Sequence, residues 1–348
     1  MSDASLPGKI STLRELRTLI SEPPAMMQKR LQPVVDGHCM TVIDNSSLCV
    51  VGFADQAGIV CINLRATPVL RAEADCIDLV WPADEALPSA LERGLKLNCS
   101  LYFIMPGIGF TLRANGYCSS TAEDAARVRL SFTADELFLH CSRAKVRANF
   151  WEPRVDRAPR AATSGRSVLS EPALAFISQS PYALLLTQDS AGKTDLSPRG
   201  DPEGFVLALD SGTLLIPERP GNKVACTLTN ILSHEALTVA FLTPGSAEIL
   251  VISGRCALSA DPRLLERAAI QGKVPKIGMV VRVDEYHLRH SKALIEAGLW
   301  SKETHLSERD IPSFSQMLSE HMNGKGMLGK ATTLLVGAVV KHDLKHLY

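Results

Sequence analysis

Two short runs in the second half of the chain bring together residue types that grip a phosphate ester. DLSPRGDPEGF spans Asp195 to Phe205, and TLLIPERPGNK follows from Thr213 to Lys223. Each sets an arginine beside Gly or Pro at the end of an expected strand, where a tight turn leaves backbone N–H groups free for an anion. Arg199, Arg219 and Lys223 supply charge, Ser197 and Asn222 neutral hydrogen bonds, and Gly200 a side-chain-free backbone. The plainer alternative is a pair of hairpin turns carrying solvated charges; two such runs close together favour the anion site. No Ser/His/Asp arrangement or carboxylate pair stands out, so no side chain is required as a nucleophile. His287 and His290 have the spacing of two helix-borne ligands, but no carboxylate or thiol cluster completes a site, and no metal is assigned.

The elements that must position these residues emerge from length, composition and internal similarity. At 348 residues the chain exceeds the roughly 250–300 at which single cores stop growing, which favours two units. Its 37 basic and 37 acidic residues balance, so neither nucleic acid nor a membrane surface is expected as a partner. Nine cysteines, an odd number without a C-x-x-C pair, read as buried reduced thiols. The first residues lack an apolar leader, and Ala331 to Val340 is too short to cross a bilayer, so the expected location is the cytoplasm.

One block of motifs occurs twice in the same order. LYFIMPGIGFTLRANGYC, from Leu101, lies on VAFLTPGSAEILVISGRC, from Val239, without a gap, and Phe, Pro, Gly, Leu, Gly and Cys coincide. Upstream, LCVVGFADQAGIVCINLRATP from Leu48 matches YALLLTQDSAGKTDLSPRGDP from Tyr182; downstream, DELFLHCSRAKVRANFW ending at Trp151 matches DEYHLRHSKALIEAGLW ending at Trp300. A tandem duplication is the economical explanation. Short runs such as SLCVVGFA, GIVCINL, YALLLTQ and EILVISG, separated by turn signals including DQAG and DSAG, describe a β-meander rather than a βαβ alternation. The fold class is therefore mainly β with flanking helices: residues 1–151 form one small barrel, 152–167 a linker rich in Pro, Arg and Ser, and 168–348 a second barrel with a helical tail. Helices are expected at STLRELRTLI, PAMMQKRLQPVV, PRLLERAAI, SKALIEAGLW and SFSQMLSEHM.

The runs SPRGDPEGF, IPERPGN and FLHCSRAK, with LRELRTLI before them and IPSFSQML and a closing LY after, resemble the pyridoxamine 5'-phosphate oxidase-like split-barrel flavoproteins. That resemblance implies a β-barrel that pairs two-fold, with FMN in the cleft between partners, its phosphate held by one barrel and its ring reaching toward the other. Here both barrels lie on one chain, an intramolecular pseudo-dimer to which a further homodimer can be added. The segments before the two tryptophans then supply the ring-side contacts: His140, Arg143 and Lys145 in the first half, His290 and Lys292 in the second.

The two copies differ in charge. Arg65 of INLRATP persists opposite Arg199 as a further cofactor-binding candidate, although Asn63 and Ala66 replace Ser197 and Gly200. IPERPGN aligns with WPADEAL, which sets Asp84 against the place of Arg219 and Leu87 against that of Asn222. A carboxylate there repels a phosphate, so one FMN per chain is expected, held by the second half. The leading functional reading is an FMN-dependent oxidoreductase acting on a small organic, aromatic or heterocyclic, molecule, with NAD(P)H as a candidate electron donor that binds transiently, since no G-x-G-x-x-G run is present. The alternatives are a non-catalytic flavin carrier, a split barrel using haem or a deazaflavin, and non-redox chemistry in the same cleft.

Overall fold

The computed structural model describes residues 6–54, 58–122, 127–154, 160–324 and 326–348; part of the DQAG turn (residues 55–57) and the middle of the expected linker (155–159) lie outside the described residues. Strand β1 (Lys9–Ile10) leads into α1 (Leu13–Leu19), which Thr12 and Glu15 close with a reciprocal capping box. The run PAMMQKRLQPVV makes only a 3-10 turn, Ala25–Arg30, rather than the expected α-helix. Pro33 has no amide proton to continue a helix and disfavours helical geometry at the residue before it. Helix α2 (Gly37–Asp44) starts at Asp36, whose side chain accepts from the amides of His38 and Cys39.

The first half continues with β2 (Leu48–Phe53), β3 (Gly58–Asn63), β4 (Arg71–Glu73), β5 (Cys76–Val80), α3 (Ser89–Glu92), β6 (Leu97–Ile104), β7 (Thr111–Ala122), β8 (Val128–His140) and α4 (Arg143–Arg147). Within the segment read as a linker, Thr163–Arg166 forms β9. Then come α5 (Glu171–Gln179), β10 (Tyr182–Gln188), β11 (Thr194–Gly200), β12 (Leu207–Asp210), β13 (Thr213–Pro217), α6 (Cys226–Ser233), β14 (Ala236–Leu242), β15 (Glu248–Ser259), α7 (Pro262–Glu266), β16 (Gly278–His290), α8 (Lys292–Glu296), α9 (Phe314–Asn323) and α10 (Met327–Lys345). No helix among the described residues is long and apolar enough to cross a membrane.

The protein is mainly β, with two antiparallel sheets. Their strand orders are β3-β2-β6-β7-β8-β5-β4 and β11-β10-β14-β15-β16-β13-β12, the same path traced twice, with β1 added on β15 and β9 on β16. Even an irregularity recurs: β7 slips register between Asn115 and Gly116, and β15 between Ser253 and Gly254. A Cβ at Gly116 would stand 2.0 Å from the Thr133 carbonyl oxygen, and one at Gly254 2.1 Å from that of Arg282. Gly116 and Gly254, one coincident pair of the repeat, are thus bulge positions where the facing strand leaves no room for a side chain.

Each sheet wraps its own apolar core, one including Phe103, Phe132 and Leu137, the other Phe176, Phe241 and Ile252. A third cluster joins the two halves: Leu48, Val50 and Tyr102 meet Tyr182, Leu184, Leu242 and Trp300. Within it the Tyr102 and Tyr182 hydroxyls pair at 2.6 Å and the Trp300 indole donates to the Phe150 carbonyl at 2.8 Å. At the ends of the chain, packing crosses between halves. Ile10 and Leu16 are buried in the second core, whereas Ile311 and Met317 complete the first.

Candidate functional site

The pocket that gathers most of the expected residues lies where α4 of the first half meets β11 and the loop after β13 of the second. Ser197, Arg199, Gly200, Arg219 and Asn222 line it together with His140 and Arg143. Closeness of the two halves depends on Gly200, since a Cβ there would sit 2.0 Å from the Ala144 carbonyl oxygen. The SPRG run is not the tight turn expected from its Pro and Gly. It is strand β11 at the edge of its sheet, paired with β10 alone among the described residues, and an edge is where a strand tolerates Pro198. The second run does leave its strand at Pro217 and loops to α6 through Lys223 and Ala225, both at positive φ.

Other expected residues lie elsewhere. Lys223 faces a neighbouring cavity of ≈ 730 Å³, which shares Glu218, Arg219 and Asn222 with the first pocket and is also lined by Tyr348. Arg65, His290 and Lys292 do not line the pocket; Arg65 lies near Gly298, and Lys292 pairs with Glu296 at 3.7 Å. Lys145 sits behind the wall instead of on it, fully buried against Tyr102, Phe150 and Trp151, and donates to the Ile108 carbonyl at 3.2 Å. His287 and His290 belong to strand β16 rather than a helix, so their three-residue spacing directs them to opposite faces.

Several groups that build the pocket escaped the sequence reading. Arg113 on β7 reaches it from the first half, with Nη2 2.5 Å from Asp195 and 3.1 Å from Ser197, and Nη1 3.3 Å from His140. Arg30 and Arg113 both lie over the Phe138 ring, at 5.0 and 4.7 Å. The repeat alignment holds the missing signal: Arg113 falls opposite Val251, a cation where the other copy keeps an apolar residue. At the far wall, α6 begins at Ala225 with no side-chain cap, so its first amides and the positive end of its dipole are directed at the pocket wall formed by Ala225, Cys226 and Thr227.

The electrostatics follow from this lining. Among the described residues six arginines (30, 113, 143, 147, 199 and 219) face two carboxylates, Asp201 and Glu218. Those two are already engaged: Glu218 Oε2 takes Arg199 at 2.8 and 3.0 Å, and Asp201 Oδ2 takes Arg219 Nε at 2.6 Å. Arg30 Nε and Arg113 Nε are buried without a hydrogen-bond partner. Burial, reinforced by Arg113 and Arg199, holds His140 well below the usual histidine range, so its imidazole is neutral at pH 7. The positive surplus, the orphaned guanidinium nitrogens and the uncapped helix start together suit an anionic group.

The tail borders the site. Tyr348 donates its hydroxyl to Asp201 Oδ1 at 2.8 Å, and its ring lies 5.5 Å from the Arg147 guanidinium and 5.7 Å from that of Arg219. Arg143 donates to the His346 carbonyl, Arg147 to that of Leu347, and Lys273 to that of Tyr348. The cavity so framed is ≈ 110 Å³. That is below the ~300–1,000 Å³ usual for a small-molecule site, and it accommodates the charged end of a ligand.

The equivalent place in the other half differs. There Val251, His287 and Arg289 line a cleft with Glu85, and Arg289 pairs with Glu85 at 2.6 Å. Asp84, expected to oppose an anion there, is exposed; the engaged carboxylate is Glu85. Asn63 donates to Glu296, the counterpart of Arg147, at 3.3 Å. This second cleft has no cationic surplus among its described lining residues.

No protein-family profile and no curated protein matches the chain. Among solved structures, the chain is similar to HupZ of Group A Streptococcus, at 17% identity over 35% of this chain and 95% of that one, with a TM-score of 0.30. A putative pyridoxamine 5'-phosphate oxidase from Lactobacillus delbrueckii aligns at 15% identity over 34% of this chain and 93% of that one, TM-score 0.29. An F420 reductase aligns at 17% identity over 34% of this chain and 98% of that one, TM-score 0.27.

Proposed function

We propose that the chain binds FMN through its phosphate in the arginine-lined pocket and is an FMN-dependent oxidoreductase acting on a small organic molecule. The observation that carries this reading is the convergence of six arginines and an uncapped helix start on one cavity between the halves. Arg30 and the first amides of α6 hold the phosphate, Arg113 and Arg219 add donors beyond those they share with Asp195 and Asp201, and Ser197 adds a neutral hydrogen bond. Arg199 is buffered by Glu218, so it sets the local potential while its donors stay shared. A neutral His140 offers one hydrogen bond without adding charge. FMN, when bound, supplies hydride or electron transfer at its ring, with a reduced nicotinamide as the proposed donor. The rest of the cofactor needs more room than the pocket alone gives, and the place proposed for it is the ≈ 730 Å³ cavity lined by the same Glu218–Asn222 loop and Tyr348.

The test is an absorption spectrum of the purified protein, with the released chromophore identified by mass and counted per chain. Flavin bands and one FMN per chain support the reading. A protein that arrives colourless and does not quench added FMN fluorescence overturns it, and a deazaflavin or haem by mass replaces the cofactor.

A further inference from the structure

Helix α2 of the first half and helix α9 of the tail meet over three unlike donors. Asp36 caps α2 with Oδ1, which accepts from His38 N at 2.9 Å and Cys39 N at 2.8 Å, and its Oδ2 lies 3.0 Å from His321 Nε2 on α9. Cys39 is fully buried one turn into α2. The His321 side chain has no exposure to solvent; its Nε2 faces Asp36, and its Nδ1 is left without a hydrogen-bond partner. The carboxylate, thiol and imidazole ligand atoms all lie within 4.8 Å of one another. A supporting pair stands beside them, with His38 Nε2 2.8 Å from Glu320 and the His38 ring 5.5 Å from that of His321.

We propose that Asp36, Cys39 and His321 form a divalent-metal site of the zinc class that fastens α9 to α2. One oxygen, one sulfur and one nitrogen donor match the borderline softness of Zn²⁺ and leave a fourth position for water or for His38 released from Glu320. The metal then replaces the ion pair between His321 Nε2 and Asp36 with a bond from each to one cation. Cys39 binds as thiolate: the metal–sulfur bond forms as the S–H bond breaks, and the proton leaves to solvent. Tetrahedral bonds of about 2.0–2.3 Å set donor separations of about 3.3–3.8 Å, so binding spreads Asp36 Oδ2 and His321 Nε2 slightly from their 3.0 Å and brings the Cys39 sulfur, within 4.8 Å of both, into the same shell. The movement tightens α9, whose Met317 and Phe314 cover the first core.

The experiment is a Co²⁺ titration of the full chain after treatment with a chelator. The expected result is one Co²⁺ per chain, a thiolate-to-cobalt band in the near ultraviolet and intense visible bands of tetrahedral cobalt, displaced by Zn²⁺. Cys39→Ser removes the near-ultraviolet band and His321→Ala weakens binding at least 10-fold, while Cys76→Ser, at a partly exposed thiol elsewhere, changes neither. No uptake by the wild-type chain overturns the proposal, and so do bands that survive in Cys39→Ser or vanish in Cys76→Ser. The wild-type titration decides the question even if a variant fails to fold.

Discussion

Arg113 on β7 and Val251 on β15 occupy equivalent places in the two sheets, as Lys145 on α4 and Leu294 on α8 do in the helices that follow; the first exchange separates an arginine-lined pocket from a cleft without a cationic surplus. Arg30 is a clean probe of the pocket because it contributes charge without an ion-pair partner among the described residues: its Nη1 donates to the Met27 carbonyl, and its Nε has no hydrogen-bond partner. Arg30→Met is expected to weaken FMN binding about 10- to 100-fold with little loss of stability, read by flavin-fluorescence titration against circular dichroism. The matched change Asp84→Ala, at an exposed residue of the other cleft, leaves binding unchanged. Lys145 makes a different prediction. Burial lowers its pKa to about 7, against an ordinary lysine value above 10. Between those values the unfolded chain binds a proton that the folded chain refuses, so stability rises with pH by about 1 kcal/mol per unit. Below about pH 7 the full penalty of holding the buried ammonium applies. Lys145→Leu, the residue of the other copy, removes that slope and adds on the order of 1–3 kcal/mol at pH 7, measurable by urea denaturation from pH 6 to 10.

At the scale of elements, the repeat in the sequence located the strands well, because short apolar runs bounded by Gly-containing turns have few other solutions. Its coincident glycines mark real constraints: Gly254→Ala drives a methyl into the Arg282 carbonyl and is expected to cost at least about 2 kcal/mol, seen as a lowered denaturation midpoint. What stayed hidden was whatever depends on distant contacts. The 3-10 turn that delivers Arg30 was expected to be a helix, and SPRG was expected to be a turn because local Pro and Gly outweighed a pairing partner visible only in three dimensions. The uncapped start of α6 carried no composition signal, since Ala225 is unremarkable until its positive φ is known. The tail is the element most open to test. Tyr348→Ala removes the hydroxyl from Asp201 and the ring from between Arg147 and Arg219, and it is expected to speed FMN association and dissociation together in stopped-flow fluorescence. An unchanged pair of rates would show that the tail does not border the route into the pocket.

For the whole molecule, the third core cluster makes the two halves one cooperative unit. Tyr102, Tyr182, Phe150 and Trp300 are buried between them, and each large apolar side chain contributes about 1.5–3 kcal/mol when removed from water. Calorimetry is therefore expected to give one unfolding transition rather than two, and Trp300→Ala to lower it without splitting it.

The crossed ends have a consequence for the order in which the chain can become itself during synthesis. Strand β1 leaves the ribosome early but pairs with Ser259 and Leu258, some two hundred and fifty residues behind it. Conversely, the first sheet is made early, yet its core stays open until Ile311 and Met317 arrive. The second sheet waits for residues near 258 to pair with β1 and the first core for residues 311–317, so over that interval an apolar face and strand β1 lack their partners. Exposed apolar surface and unpaired strand edges of that kind are where a growing chain is open to aggregation.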